Sequence, residues 1–131
     1  MDRPLLIDFP KIQDPRGSLT FLQNVDQVPF EIQRVFWTYD VPGGYQRGGH
    51  AYKSQMEIII AISGSFDVVI ADKNNNKEKF HLERSYKGLL IPPMYWRHME
   101  NFSTNSVSVH LSSHSFDRND YIWNKKEYFN K

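Results

Sequence analysis

His50 lies between Gly48-Gly49 and Ala51, and Tyr52 follows it at the next position but one, so on a strand the two rings would share a face. Imidazole titrates near neutrality and is the natural general base at such a place. A phenol, with an unperturbed pKa of about 10, is a poor base there but a competent acid, able to donate or relay a proton or to orient the histidine. Glu57 opens the apolar run Ile58 to Ile62. Burying it unpaired would be costly, so it should pair with a cation or polar neighbour inside the fold, or lie at its mouth. Arg16, Arg34, Arg47 and Arg97 each stand in or beside a strand or turn bearing aromatic residues or glycine. Converging, their guanidinium forks would suit an anion such as a diphosphate. Taken singly, such arginines are ordinary surface residues and such a histidine is ordinarily structural. The glycines around His50 are what favour the chemical reading.

The elements that must hold these residues read as strands. Leu5 to Phe9 is an apolar run closed by Pro10, and Pro15-Arg16-Gly17 signals a turn before Ser18 to Gln23, so two strands joined by a turn are expected. Residues 32–41 are rich in β-branched and aromatic side chains and end at Pro42-Gly43-Gly44. Further strands are expected over 46–52, 57–62 and 65–71, with a hairpin tip at Asp72 to Asn76. Phe80 and Leu82 alternate with polar neighbours, residues 88–91 are short and apolar, and Val107, Val109 and Leu111 alternate with Ser106, Ser108 and His110. In the tail, residues 117–129 suit a helix. Many short strands separated by Gly, Pro and Asn indicate an all-β sandwich or small barrel, and residues 1–131 read as one domain.

Composition narrows the partners. With 40% hydrophobic and 24% charged residues and a formal charge of +1, nothing electrostatic draws this chain to nucleic acid or a membrane surface. The absence of cysteine removes disulfides and thiolate chemistry, and no run approaches a signal peptide or membrane span. The expectation is a soluble, unprocessed, cytoplasmic protein. Aromatics at 15% fit either a ring-lined cavity or a well-packed β-core.

From Gly44, the series Gly, five residues, His50, one residue, Tyr52, four residues, Glu57, six residues, Gly64 resembles the first motif of the cupins, with Tyr52 in place of the second histidine. The likeness implies a cupin-type antiparallel β-barrel or jelly roll with a short C-terminal helix. Loss of a nitrogen ligand at Tyr52 argues against a metal. Ile91 to Asn101 resembles the second cupin motif, Pro93 preceding His98 by five positions and Tyr95 replacing a glycine, so His98 could at most complete a metal set with His50 and Glu57.

The ordered series RGSL at 16–19, PF at 29–30, RVF at 34–36, RGGHA at 47–51, SGS at 63–65, Trp96 and DYI at 120–122 resembles the WxcM-like sugar nucleotide 3,4-ketoisomerases. That resemblance implies a metal-independent, cofactor-free homodimer that moves the ketone of dTDP-4-keto-6-deoxyglucose from C4 to C3 through an enediol, supplying deoxy-aminosugars for surface polysaccharide. It makes His50 the catalytic base. Tyr52, Arg47 and Tyr39 become candidates to hold or protonate the enediolate oxygens, and Arg16, Trp96, Arg97 and Tyr121 candidate substrate contacts. A related nucleotide-sugar epimerase and a non-catalytic ligand-binding cupin are the alternatives.

Overall fold

The computed structural model describes residues 3–130. Its strands are β1 (Leu5–Asp8), β2 (Lys11–Asp14), β3 (Gly17–Thr20), β4 (Arg34–Tyr39), β5 (Arg47–Tyr52), β6 (Glu57–Ser63), β7 (Phe66–Ala71), β8 (Lys77–Leu82), β9 (Lys87–Ile91), β10 (Trp96–Glu100), β11 (Val107–Ser112) and β12 (Tyr121–Ile122), followed by α1 (Lys125–Phe129). One five-stranded sheet runs β1-β9-β6-β11-β4, a second runs β12-β5-β10-β7-β8, and β2–β3 forms a separate ribbon. The pairing of these strands is antiparallel throughout, the jelly-roll arrangement implied by the sequence.

The sheets face one another across a shared interior. Ile59 and Ala61 of β6 and Leu89 and Ile91 of β9 meet Phe66, Val68 and Ile70 of β7 and Met99 of β10. The run Ile58 to Ile62 does not alternate because both faces of β6 are covered. Ile58 and Ile60 turn the other way, beneath Phe9, Val28, Phe30 and Leu111. Each such side chain, fully buried, contributes about 1.5–3 kcal/mol. Gly88 permits this second layer, because a Cβ there would come within 2.5 Å of the Phe9 ring.

Two expectations are corrected. The run at Leu5 to Phe9 does not pair with Ser18 to Gln23. Instead β1 lies against β9, Leu5 opposite Leu90, while β3 pairs with β2 around the turn at Pro15-Arg16. The mostly polar KIQD of β2 carries no strand pattern, but it needs none, because all four of its residues are exposed. Nor is the tail one helix. A 3-10 turn at Arg118–Asp120 leads into β12, which pairs with β5, and only Lys125–Phe129 is α-helical, capped by the Asn124 side chain.

Candidate functional site

A cavity of about 210 Å³ opens between the sheets, with walls from β4, β5, β6, β10, β11 and β12. From β5 come His50 and Tyr52, two apart and on one face as the period of a strand requires. Arg47 also borders the cavity, although its odd spacing from His50 should place it on the other face. A bulge explains this. Met99 of β10 lies opposite Arg47 and Arg97 opposite His50, so β5 carries one residue more than its partner across this stretch. Gly48 takes a φ of +76° at the extra position, which a side chain would resist.

The His50 ring is held edge-on by Tyr52 at 4.7 Å between centroids and faces Tyr121 at 5.1 Å. Its Nε2 is buried without a hydrogen-bond partner. Burial first, then the positive charge of Arg97, lower its pKa to about 3 against the opposing pull of Glu57. At neutral pH the imidazole is therefore uncharged, with a nitrogen lone pair available. Burial also pushes the Tyr52 phenol up, reinforced by the Glu57 charge and the hydrogen bond to Tyr121, so Tyr52 stays protonated. Arg34 of β4 donates from Nη2 to both the Tyr52 and Tyr121 hydroxyls, at 3.2 and 3.1 Å, and Tyr52 donates to Tyr121 at 3.2 Å.

Opposite these lies a buried ionic cluster. Arg97 of β10 donates from Nη1 to Glu57 Oε1 at 2.6 Å, and His110 Nδ1 lies 3.1 Å from Glu57 Oε2. Because a carboxylate only accepts, Nδ1 carries the proton, and His110 Nε2 lies 2.9 Å from the Ser108 hydroxyl. Phe36 stacks flat on His110 at 4.4 Å. Burial works against the Glu57 carboxylate, but the His110 hydrogen bond and the positive charges around it prevail and hold its pKa down at about 2. Arg97 packs over the Tyr52 ring at 4.9 Å, and its second nitrogen, Nη2, is buried with no acceptor.

The remaining candidates are distributed more widely. Tyr39 is on the outer face of β4, opposite in direction to Phe36 and Thr38, where it lines a separate groove of about 530 Å³ with Trp37, Tyr45 and Arg47. Trp96 is buried beside Ala51, Ile122 and Tyr128 and does not border the cavity. Arg16 sits at the tip of the β2–β3 ribbon, exposed and tied to Asp14. His98 points away from Arg97 and bonds Glu100, and among the described residues no three His, Cys, Asp or Glu gather as a metal would require. Sequence reasoning missed His110 and Ser108. Their signal was the polar alternation of β11, whose Val109 and Leu111 face the second apolar layer.

A family model described as WxcM-like, C-terminal (FdtA) matches residues 2–131. The TDP-4-oxo-6-deoxy-alpha-D-glucose-3,4-oxoisomerase of Aneurinibacillus thermoaerophilus is 36% identical over 117 residues, covering 89% of this chain and 84% of its own. Among solved structures, the WlaRB TDP-quinovose 3,4-ketoisomerase of Campylobacter jejuni is 37% identical, with 100% of both chains covered and a TM-score of 0.92. QdtA, a sugar 3,4-ketoisomerase from Thermoanaerobacterium thermosaccharolyticum solved in complex with TDP, is 30% identical over 98% of this chain and 93% of that one, with a TM-score of 0.95.

Proposed function

The chain belongs to the WxcM-like family of sugar nucleotide 3,4-ketoisomerases, cupin-type enzymes, and from that premise we propose how its site moves the ketone of dTDP-4-keto-6-deoxyglucose from C4 to C3. The carrying observation is the pairing of two unsatisfied buried groups in one cavity, His50 Nε2 and Arg97 Nη2. The uncharged His50 removes the C3 proton, made acidic by the neighbouring ketone, and returns it to C4. General-base help of this kind is worth about 10²–10⁴-fold in rate. Arg97 Nη2 and Arg47 stabilise the developing enediolate oxygens, a role that needs donors fixed in advance. None of these steps calls on a metal or cofactor.

Arg47 borders both cavity and groove, so the diphosphate is assigned to their junction and the nucleotide to the groove beside Tyr39. Residues 1–131 act as a single domain, placed in the cytoplasm ahead of a 3-aminotransferase. The formal charge of +1 gives no pull toward nucleic acid, and among the described residues no helix is long and apolar enough to cross a membrane. The working unit is a homodimer. Edge strand β4, which also borders the groove, exposes Val35, and the β2–β3 ribbon, marginal on its own, exposes Ile12 and Leu19. A second copy covering these surfaces is also what would bring Arg16 to a site. A monomer by light scattering would exclude this assembly.

The function is tested by proton NMR of the substrate in D₂O with no aminotransferase present. Loss of the C3 proton with new 3-keto signals is expected. Proton exchange with the ketone unmoved would instead indicate an epimerase, and unchanged substrate with tight dTDP binding a non-catalytic cupin.

A further inference from the structure

The isomerisation must move two protons. One leaves C3 and arrives at C4, and the other leaves the hydroxyl on C3 and arrives at the former ketone oxygen on C4. His50 accounts for the first. The second needs a group that gives a proton at one oxygen and takes one at its neighbour, with no net gain or loss.

The hydrogen-bond inventory at the β4, β5 and β12 corner supplies such a group. Two phenol oxygens lie 3.2 Å apart, and Arg34 Nη2 donates to each of them. Of the two phenolic protons, one lies between the rings. The other, on Tyr121, has no acceptor among the described residues, and Tyr121 borders the same cavity as His50. We propose that Tyr121, coupled to Tyr52 and braced by Arg34, is the acid and base that transfers the hydroxyl proton between O3 and O4. This rests on the ketoisomerase reading above and extends it.

The transfer balances without an outside reagent. As His50 takes the C3 proton, the C3–H electron pair forms the C3=C4 double bond, and the carbonyl pair on O4 accepts the Tyr121 proton, giving the enediol. The Tyr121 phenolate left behind accepts from Arg34 and from the Tyr52 hydroxyl, so its charge forms against a cation already in place. It then takes the O3 proton as the C3 carbonyl forms, and the C3=C4 pair accepts the proton held on His50 at C4. C3 is oxidised, C4 is reduced, and both side chains return to their starting states.

The surroundings suit the role. The Arg34 guanidinium lies over the Phe36 and Phe116 rings at 4.8 and 5.5 Å, fixing it where it serves both phenols. Tyr121 stacks on Trp123 at 4.7 Å and stands opposite Tyr52 in the β12–β5 pairing, so backbone and ring both fix its hydroxyl. His50 approaches both phenol rings, which places base and acid around one small volume.

The experiment compares the unaltered enzyme with Tyr121→Phe, Tyr52→Phe and Arg34→Gln, reading ketone migration and C3 proton exchange by NMR in D₂O, with KM and TDP binding alongside. Tyr121→Phe should lower kcat by about 100-fold or more while KM and TDP affinity stay within about threefold. Exchange at C3 should fall less than migration, because His50 still forms the enolate. Tyr52→Phe and Arg34→Gln should show the same split to a smaller degree, and either carries the test should Tyr121→Phe not fold. Retention of kcat in the variants, or equal loss of exchange and migration, would overturn the relay alone. An unaltered protein that moves no ketone would overturn the isomerase reading itself.

Discussion

The two walls of the cavity treat their polar groups in opposite ways. On the β6–β11 wall, Glu57, His110 and Ser108 bond one another and Arg97, and the apolar stack of Phe36 closes over them. On the facing β5–β10–β12 wall, His50 Nε2, Arg97 Nη2 and one phenolic proton are left over. A buried polar group without a partner costs about 1–3 kcal/mol, so a fold keeps several together only where something else takes them up. The saturated wall positions and the unsaturated wall reacts. Arg97 belongs to both, anchored by one nitrogen and free at the other.

The sharpest break of this contrast is His50→Asn. Turnover should fall by about 10²–10⁴-fold or more with dTDP affinity nearly unchanged. Stability should respond in a way the opposite wall cannot imitate. The folded-state pKa of His50, about 3, lies below its ordinary 6.5, so as pH falls the unfolded chain binds the proton first. Its contribution is intact above pH 6.5 and is lost as pH falls toward 3. The Glu57 contribution is intact above 4.5 and is lost only toward about 2. Denaturant titrations across pH should therefore show His50→Asn flattening the upper part of the acid limb while leaving the lower part in place. Parallel curves for the two proteins would mean that His50 is not held uncharged by the fold.

Glu57→Ala strikes the saturated wall. It leaves the Arg97 charge buried and His110 without its acceptor, and should destabilise the protein by about 3–5 kcal/mol in urea unfolding. Activity should be lost with the fold. A variant that unfolds like the parent yet turns over slowly would make Glu57 a chemical group and erase the division between the walls. The mildest test is Ser108→Ala, which removes the outermost hydrogen bond of that cluster. About 1 kcal/mol of stability should go, with kcat within about threefold of the parent.

Much of the barrel was legible because alternation and turn residues write strands into the sequence. The tip at Asp72 to Asn76 joins β7 to β8 where the Asn cluster predicted it. What failed were pairings between distant segments. Nothing in Leu5 to Asp8 specifies β9 as its neighbour, and Trp96 to Glu100, a mixture of aromatic and charged residues, gave no strand pattern although both its flanks are paired. The site divides in the same way. His50 and Tyr52 share a face by simple spacing. Of the places open to Glu57, a cation or polar neighbour inside the fold or a position at its mouth, the structure gives the first, with Arg97 and His110 as the partners. Arg34 read only as a possible anion contact, whereas its Nη2 engages two phenols, one of them 87 positions away in the chain. Tyr39 follows the period of β4 to the outside, and Arg47 escapes the period of β5 only through the bulge.

That bulge divides β5 into two segments that are out of phase with each other. The mouth of the cavity, where Arg47 stands, and its floor, where His50 and Tyr52 stand, are consequently separate units of variation. Substitutions before Gly48 can reshape the mouth without turning the imidazole, whereas deletion of Gly48 would restore a continuous register, with Arg47 two positions from His50 and locked in phase with it. An extra glycine in one strand thus uncouples the placement of a guanidinium from that of the imidazole beside it.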